Sequence, residues 1–434
     1  PATAMIKNFF KVAFRNMVKN KIFAAINLLG LTTGITASVF ILLYVVDEVS
    51  YDTFYPNSEN IHRMQLHGLL SDQEIHTVTT NSVLGTTMVE EIPGVLASAR
   101  MNDFTNNWTF RLNDMVYAEE HVIAADSTYF DVFKHNFLEG AADGALKGPH
   151  KIVLSEKLAQ KYFGDEPAIG KTLNLGDDRT EYLVTGVIKN VPYKTHLYFE
   201  ALISIESFPY MNNTQGAWLN NSYFTYVVLD PATDPKEVDT ILKPIVDMNV
   251  TPIFMQFMGK SMEQLEEEGQ IYEYYSQPLL NIHLKSDVKD EAQPQGDIAN
   301  VYILSAIGLF ILLIACINFM NLSTAKSAGR AKEVGLRKTM GSTRERLVGQ
   351  FLSESTLYAI LSAVVAMGIT SLLLPYFNNL AGKHLAMTDL LTPMVAIGIF
   401  LIILLIGFLA GMYPAFYLTS FQVTETLKGR VRSG

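Results

Sequence analysis

One cysteine, Cys316, stands among the 434 residues, and it lies inside a long apolar run. No disulfide therefore staples the chain, and its soluble part must hold together by burial alone, which about 250 residues can do. No Cys pair and no HExxH stretch offers zinc-ligand spacing, and no GxSxG marks a nucleophile elbow. Charge is missing as well. Ile22–Val46, Ile298–Ala325, Ser355–Gly382 and Leu390–Thr424 contain no Asp, Glu, Lys or Arg. Each is long enough to supply the roughly 20 residues that cross about 30 Å of hydrocarbon as a helix. A fifth charge-free window, Ser207–Leu229, is different: its four Asn, Gln, Pro and Gly would leave polar groups unpaired in lipid, so it reads as loop and strand.

The charge that is present is divided unevenly. Residues 47–300 hold 38 Asp and Glu against 17 Lys and Arg, a net of −21, while the remainder carries a net of +11. The chain thus reads as an acidic soluble block joined to a basic membrane portion. Lys7, Lys11, Arg15, Lys19 and Lys21 precede the first run, and Asp47, Glu48 and Asp52 follow it. Lys326, Arg330, Lys332, Arg337, Lys338, Arg344 and Arg346 lie between the second and third runs, and Lys428, Arg430 and Arg432 follow the fourth. Short basic flanks stay in the cytoplasm. Both termini and the second linker are therefore expected inside, and the acidic block outside. The 25-residue first run is too long for a signal h-region and no small-residue cleavage site follows it, so it reads as an uncleaved anchor.

The expected organisation is a basic cytoplasmic segment (1–21), a first span (22–46), an exported domain (47–297) and a second span (298–322). A cytoplasmic segment (323–346), a third span (347–377), a short external loop (378–392), a fourth span (393–418) and a cytoplasmic tail (419–434) complete it. The fold class is membrane α-helical, with a large α+β extracytoplasmic domain inserted between helices one and two.

Inside the exported block, "KIVLSEKLAQKYFG" predicts a strand at Lys151–Leu154, an N-cap at Ser155, a helix to Phe163 and a stop at Gly164. "TEYLVTGVIKNV" alternates like a strand, and "SYFTYVVLD" is a second, ended by Asp230 and Pro231. A helix is predicted from Pro235 to Asn249, with Pro244 placed to bend it, and "IYEYYSQPLLNIHL" reads as extended. The order is not a regular βαβ repeat, which favours α+β, arranged as two lobes. "GDEPAIGKT", Gly164–Thr172, imitates a phosphate-binding loop, but it has five residues where that loop needs four. It reads as a turn, with Gly170 in the left-handed region. The nine histidines are scattered, and His62 and His67, five apart, suit neither a helix face nor a strand face. Glu266–Glu268 read as a solvated helix face. Chemistry on this chain is not expected, nor is a metal or nucleic-acid site.

The basic linker carries the most specific signal. Ala325–Met340 is rich in helix formers, Gly341 suits the position just past a helix end, and Ser342–Glu345 has capping-box spacing. A short helix joined by a tight turn to a long membrane helix is expected. Pushed from outside, such an elbow would tilt the span; left alone, it is an ordinary basic loop on anionic lipid.

"AGRAKEVGLRKTMGSTRERLVGQFLSES" resembles the signature of the FtsX/MacB-type ABC transporter permeases. Arg330, Glu333, Val334, Gly335, Arg337, Lys338, Met340, Gly341, Ser342, Phe351, Leu352 and Glu354 match it residue by residue. "YFDVFKHNFLEG" and "IVLSEKLAQKYFGDEPAIGKTLNL" are similar to the MacB periplasmic core domain, and "GMYPAFYLTSFQVTETLKG" to the final span of the family. The order of one span, a large exported domain and three spans is similar too. The resemblance implies that Arg330, Lys332, Glu333, Val334, Gly335, Arg337, Lys338, Met340, Gly341 and Glu354 couple to a separate ABC ATPase in the cytoplasm. ATP would act through that partner, with no cofactor on this chain. The start of the chain is similar to large two-half permeases of Bacteroidetes-type bacteria, of which it would be the first four-span half. The implied location is the bacterial inner membrane. The implied companions are membrane lipid, a second permease half or a second copy, and a periplasmic adaptor, lipoprotein or outer-membrane channel. Export or release of a substrate by transmitted motion is the implied activity. Regulation of periplasmic cell-wall hydrolases, as in FtsX-like proteins, and a membrane-anchored sensor are the alternatives.

Overall fold

A computed structural model describes residues 14–70, 73–103, 108–212, 217–288, 291–325, 336, 339–340 and 343–420. The chain divides into two compact units, one of Pro1–Val49 with Ile298–Gly434 and one of Ser50–Asp297.

Four helices of the first unit are long and apolar enough to cross a membrane: Lys21–Val49, Ile298–Ala325, Arg344–Ala381 and Val395–Phe416 within Pro393–Ser420. In hydrocarbon a helix satisfies its own backbone, so charge-free runs have little other choice. The helices associate through small residues that let backbones approach. Gly34 of the first span lies where any Cβ would meet the Ala315 Cβ at 2.6 Å, and Ser38 Oγ donates to the Gly308 carbonyl at 3.2 Å. Between the third and fourth spans, a Cβ on Gly407 would stand 2.7 Å from the Thr356 Cα, and one on Gly411 2.0 Å from Ser355 Oγ. Ser355 Oγ donates to the Gly407 carbonyl at 2.7 Å, closing that seam with an interhelical hydrogen bond. No charged side chain threads the bundle interior between the ends of the described spans except Glu354, but polar ones do. Asn27, Thr32 and Thr370 are buried there with side-chain atoms that make no hydrogen bond.

The second unit is built on one mixed sheet with thirteen strands among the described residues. They are β1 (Ile61–Leu70), β2 (Gln73–Thr77), β3 (Val95–Asp103), β4 (Trp108–Leu112), β5 (Met115–Glu119), β6 (Val122–Ala125) and β7 (Phe137–Gly140). Then follow β8 (Lys151–Ser155), β9 (Thr172–Leu175), β10 (Thr180–Ile188), β11 (Ala201–Ser204), β12 (Phe224–Leu229) and β13 (Ile271–Pro278). The path runs β13-β1-β12-β3-β6-β11-β8-β10-β9-β4-β5, with β2 on β1 and β7 on β10. Most pairs are antiparallel; β8 with β10 and β6 with β11 are parallel. The central strands β6, β11 and β12 are buried along their whole length, as their mostly apolar sequences favour.

Three helices position the flanks of the sheet: α1 (Leu84–Glu91), α2 (Glu156–Phe163) and α3 (Pro235–Met258). Ser155 caps α2 by accepting from the Leu158 amide at 3.2 Å, and Gly164 ends it at φ 62°. α3 begins at Pro235 after Asp234, whose carboxylate accepts from the Lys236 amide at 3.0 Å. It continues through Pro244 and Pro252 to Met258, beyond the expected end at Asn249. Its buried face, Val238, Leu242, Val246, Val250 and Phe254, recurs every four residues and packs with Leu84, Met88, Tyr272 and Tyr274. That apolar stripe outweighs the backbone hydrogen bond that each proline denies the helix. A second core lies between α2 and the β8–β10 end of the sheet. A third, around Tyr129, Phe133, Phe199 and Tyr226, packs on the same continuous sheet.

One local expectation needs correction. The second half of "IYEYYSQPLLNIHL" is helical at Ile282–Lys285 rather than extended, because Pro278 ends the strand. The long third helix has Thr343 in the N-cap position, with no side-chain cap bond; Ser342, the first residue of the expected capping box, lies outside the described residues.

Replacing Gly407 with Leu should force the third and fourth helices apart and cost about 1–3 kcal/mol. Gly398, whose Cβ position is open, should accept Leu with little loss. Unfolding of the purified variants in detergent micelles checks this; equal stability of the two would sink the close-packing account.

Candidate force-transmission path

Of the ten coupling residues expected from sequence, Arg330, Lys332, Glu333, Val334, Gly335, Arg337, Lys338 and Gly341 lie outside the described residues. Met340 is described and 78% exposed, with its amide donating to the Leu336 carbonyl at 3.1 Å in a helical turn. Glu354 is buried within the third span.

That span is one unbroken helix of 38 residues, Arg344–Ala381, about 57 Å long at 1.5 Å per residue. It exceeds the hydrocarbon thickness, so it protrudes. It also touches every other span. The Arg344 guanidinium lies over the Phe416 ring of the fourth, 5.9 Å from its centre. Tyr358 meets Phe319 of the second edge to face at 5.4 Å. Ser362 Oγ donates to the Leu28 carbonyl of the first at 3.4 Å, and Phe377 stacks on Phe40 at 4.9 Å.

At its far end the helix stops at Gly382, φ 63°, and the next residue, Lys383, reaches the end of the first span. Lys383 Nζ lies 2.6 Å from Glu48 Oε1 and 3.2 Å from Asp47 Oδ2, and the two carboxylates are only 3% and 5% exposed. Asn378 holds the turn by donating to the Leu385 carbonyl at 2.9 Å and accepting its amide at 3.1 Å. The sequence offered a signal for this latch: one lysine in a short external loop, opposite an Asp-Glu pair at the end of another span. Counted only as topology markers, these residues were not brought together.

The second unit has its own joint, where the chain that continues from the first span meets the chain that leads to the second. Asp52, at φ 60°, accepts the Thr195 hydroxyl at 2.6 Å and binds His196 Nδ1 at 2.9 Å. His196 Nε2 lies 2.6 Å from the Tyr226 hydroxyl on β12. The Nδ1–H that faces a carboxylate leaves Nε2 to accept from the phenol. The order Asp–His–hydroxyl resembles a catalytic relay, but all three side chains are buried, and burial pushes the Tyr226 phenol well above its usual range. The arrangement ties the entry segment at Asp52 to Thr195, His196 and β12. Beside it, Arg63 of β1 makes a bidentate pair with Glu291 and donates to Gln277 Oε1 at 2.7 Å. Burial alone would raise the Glu291 carboxyl; the bonded guanidinium overrides this and holds it below the usual range. Ser50–Arg63 and Gln277–Glu291 are thereby tied to each other and to a central strand.

Comparison with known proteins gives two family matches. The model of the MacB-like periplasmic core domain matches residues 24–245, and that of the FtsX-like permease C-terminal matches residues 305–423. Over 437 residues the chain is 23% identical to YknZ of Bacillus subtilis (strain 168), named an uncharacterized ABC transporter permease, covering 96% of this chain and 98% of that one. It is 24% identical to the macrolide export ATP-binding/permease protein MacB of Pasteurella multocida (strain Pm70), over 68% of this chain and 40% of the relative. A crystal structure of the extracellular domain of the noncanonic ABC-type transporter YknZ from Gram-positive bacteria aligns with a TM-score of 0.33 at 18% identity. It covers 50% of this chain and 99% of that domain.

Lys383→Met should cost about 3–5 kcal/mol, because it removes the cation that two buried carboxylates share. Adding Asp47→Asn and Glu48→Gln should recover most of that loss in unfolding measurements. A triple variant no more stable than the single one would show that the latch does not depend on charge.

Proposed function

The chain belongs to the family of FtsX/MacB-type ABC transporter permeases, and on that premise we infer that it works by transmitted motion. As an ABC transporter permease subunit it has an ATPase as partner. In this reading the ATPase docks from the cytoplasm on 331–340, where Arg337, Lys338 and their neighbours carry the family signature. Closure of the ATPase on ATP displaces the start of the third span. The exported domain then moves to expel or release a substrate, and a second permease half or second copy completes the assembly. The chain itself performs no covalent chemistry.

The observation that carries this reading is the third span. It starts next to the basic linker, is continuous over 38 residues, and ends at the Lys383 latch on the first span. The first span continues covalently into the exported unit at Ser50. A helix that bends would absorb the push; one packed against three neighbours passes it on. The basic flanks support cytoplasmic termini and an exported domain on the far face of the inner membrane.

Reversing Arg337 and Lys338 to Glu should strip the ATPase from the purified permease without affecting insertion, and an unchanged co-purification yield would remove the docking role. Cysteine labelling from the two sides of the membrane should place Ser342 inside and the acidic domain outside. Labelling of both from one side would end the proposal.

A further inference from the structure

Between β10 and β11 the chain makes a loop that both membrane connections hold. Its first part, "KNVPYK" at residues 189–194, combines a buried anchor with an exposed tip. Val191, with Leu197 further on, belongs to the core around Tyr129 and Phe199. Lys189, Asn190, Pro192 and Tyr193 are exposed, Tyr193 to 50%. The Tyr193 ring stacks on that of Tyr198 with centres 4.8 Å apart, so one of its faces is backed by protein.

From the side of the first span, the Asp52 amide donates to the Lys194 carbonyl at 2.9 Å, and the Asp52 carboxylate holds Thr195 and His196. From the side of the second span, the Gln293 side chain, its amide turned to suit, donates to the Thr195 carbonyl at 3.3 Å and accepts the Tyr198 amide at 2.8 Å. Asp52 stands three residues beyond Val49, where the first span ends, and Gln293 five before Ile298, where the second begins. Three residues of chain reach at most about 11 Å and five about 18 Å. The interfacial layer over each face of the hydrocarbon is itself about 5–8 Å thick. Covalent reach alone therefore keeps the Lys194 backbone within about 15 Å of the end of a span.

The composition of the loop suits that place. Tyrosine rings settle at headgroup level, and lysine lays its stem along apolar groups while its ammonium meets lipid phosphate. In a block of net −21, residues 189–194 carry two lysines and no acid. Carboxylates nearby are already engaged: Asp52 as above, and Glu200 by Lys157 at 2.6 Å and the Tyr198 hydroxyl at 2.9 Å. Exposed Glu156, 3.5 Å from Asn190 Nδ2, offsets only one of the two positive charges. Tyr51, two residues beyond the first span, adds a second ring near the membrane surface, stacked on His283 with centres 3.4 Å apart.

We propose that residues 189–194 form a lipid-binding loop. Pro192 and Tyr193 seat in the headgroup layer of the outer leaflet, and Lys189 and Lys194 meet the phosphates of anionic lipid. The loop thereby anchors the joint of the exported unit to the lipid surface as well as to its two connections. The choice of leaflet rests on the orientation inferred above. Depth in the bilayer reads the same on either face, so the two can fail separately.

The test is a nitroxide on Tyr193→Cys in the full chain carrying Cys316→Ala, reconstituted in phosphatidylcholine vesicles with and without phosphatidylglycerol. Power saturation by oxygen, which concentrates in lipid, and by a polar nickel chelate, which stays in water, gives the depth of the label. At position 193 it should lose most of its exposure to the nickel chelate and read headgroup depth, and phosphatidylglycerol should draw it deeper. On Phe257→Cys, 76% exposed at the end of α3, it should read as water. Lys189→Glu with Lys194→Glu should shift the 193 label towards water in the phosphatidylglycerol vesicles. Should the label disturb the loop, Tyr193→Trp with Trp108→Phe and Trp218→Phe decides, since headgroup nitroxides should quench its emission. A label at 193 as open to nickel as the one at 257, or a tryptophan there that headgroup nitroxides leave unquenched, overturns the lipid contact. An unchanged depth after the lysine reversal overturns the phosphate contact.

Discussion

Hydrocarbon tolerates neither a bare backbone amide nor a bare charge, and the rest of this protein is arranged around that intolerance. Four stretches without a single Asp, Glu, Lys or Arg have to become helices, since only a helix pairs its own amides within one segment. The charges expelled from them collect at the ends, where they take on separate work. Basic residues fill the linker before the third span, and the one lysine of the loop between the third and fourth spans, Lys383, meets the two carboxylates that end the first span.

Between those ends, stiffness comes from small residues rather than large ones. In lipid there is little hydrophobic gain from bringing helices together, so close backbone approach and interhelical hydrogen bonds supply the attraction. Gly407, Gly411 and Ser355 lock the third span to the fourth, and Gly34, Ala315, Ser38 and Gly308 lock the first to the second. Seams of this kind have no slack for a side chain to take up. That property keeps the 38-residue helix seated against its neighbours.

The exported unit solves a different problem. It has no disulfide, so its sheet is closed by apolar strands at the centre and by buried polar clamps where the chain enters and leaves. Arg63 with Glu291, and Asp52 with His196 and Tyr226, are costly to bury singly and stable only as satisfied sets. The clamps bind the two segments that connect to the membrane helices, where tension applied through either connection would be felt first.

Much of this was legible in the residues alone. The spans, the α2 cap at Ser155, the Gly164 stop and the start of α3 at Asp234 and Pro235 follow from local chemistry: charge exclusion, a side-chain oxygen beside free amides, a backbone turn only glycine adopts readily. The family signature was legible too, as a run of matching residues in the linker. Partnerships across the chain were not. Lys383 and Glu48 are 335 positions apart. The continuation of α3 past Asn249 likewise depended on a sheet to bury its stripe. Local chemistry decided which segments enter lipid and where helices begin. Only the folded chain decided which distant charges share a low-dielectric site, because an ion pair's strength depends on how much water the surrounding structure removes.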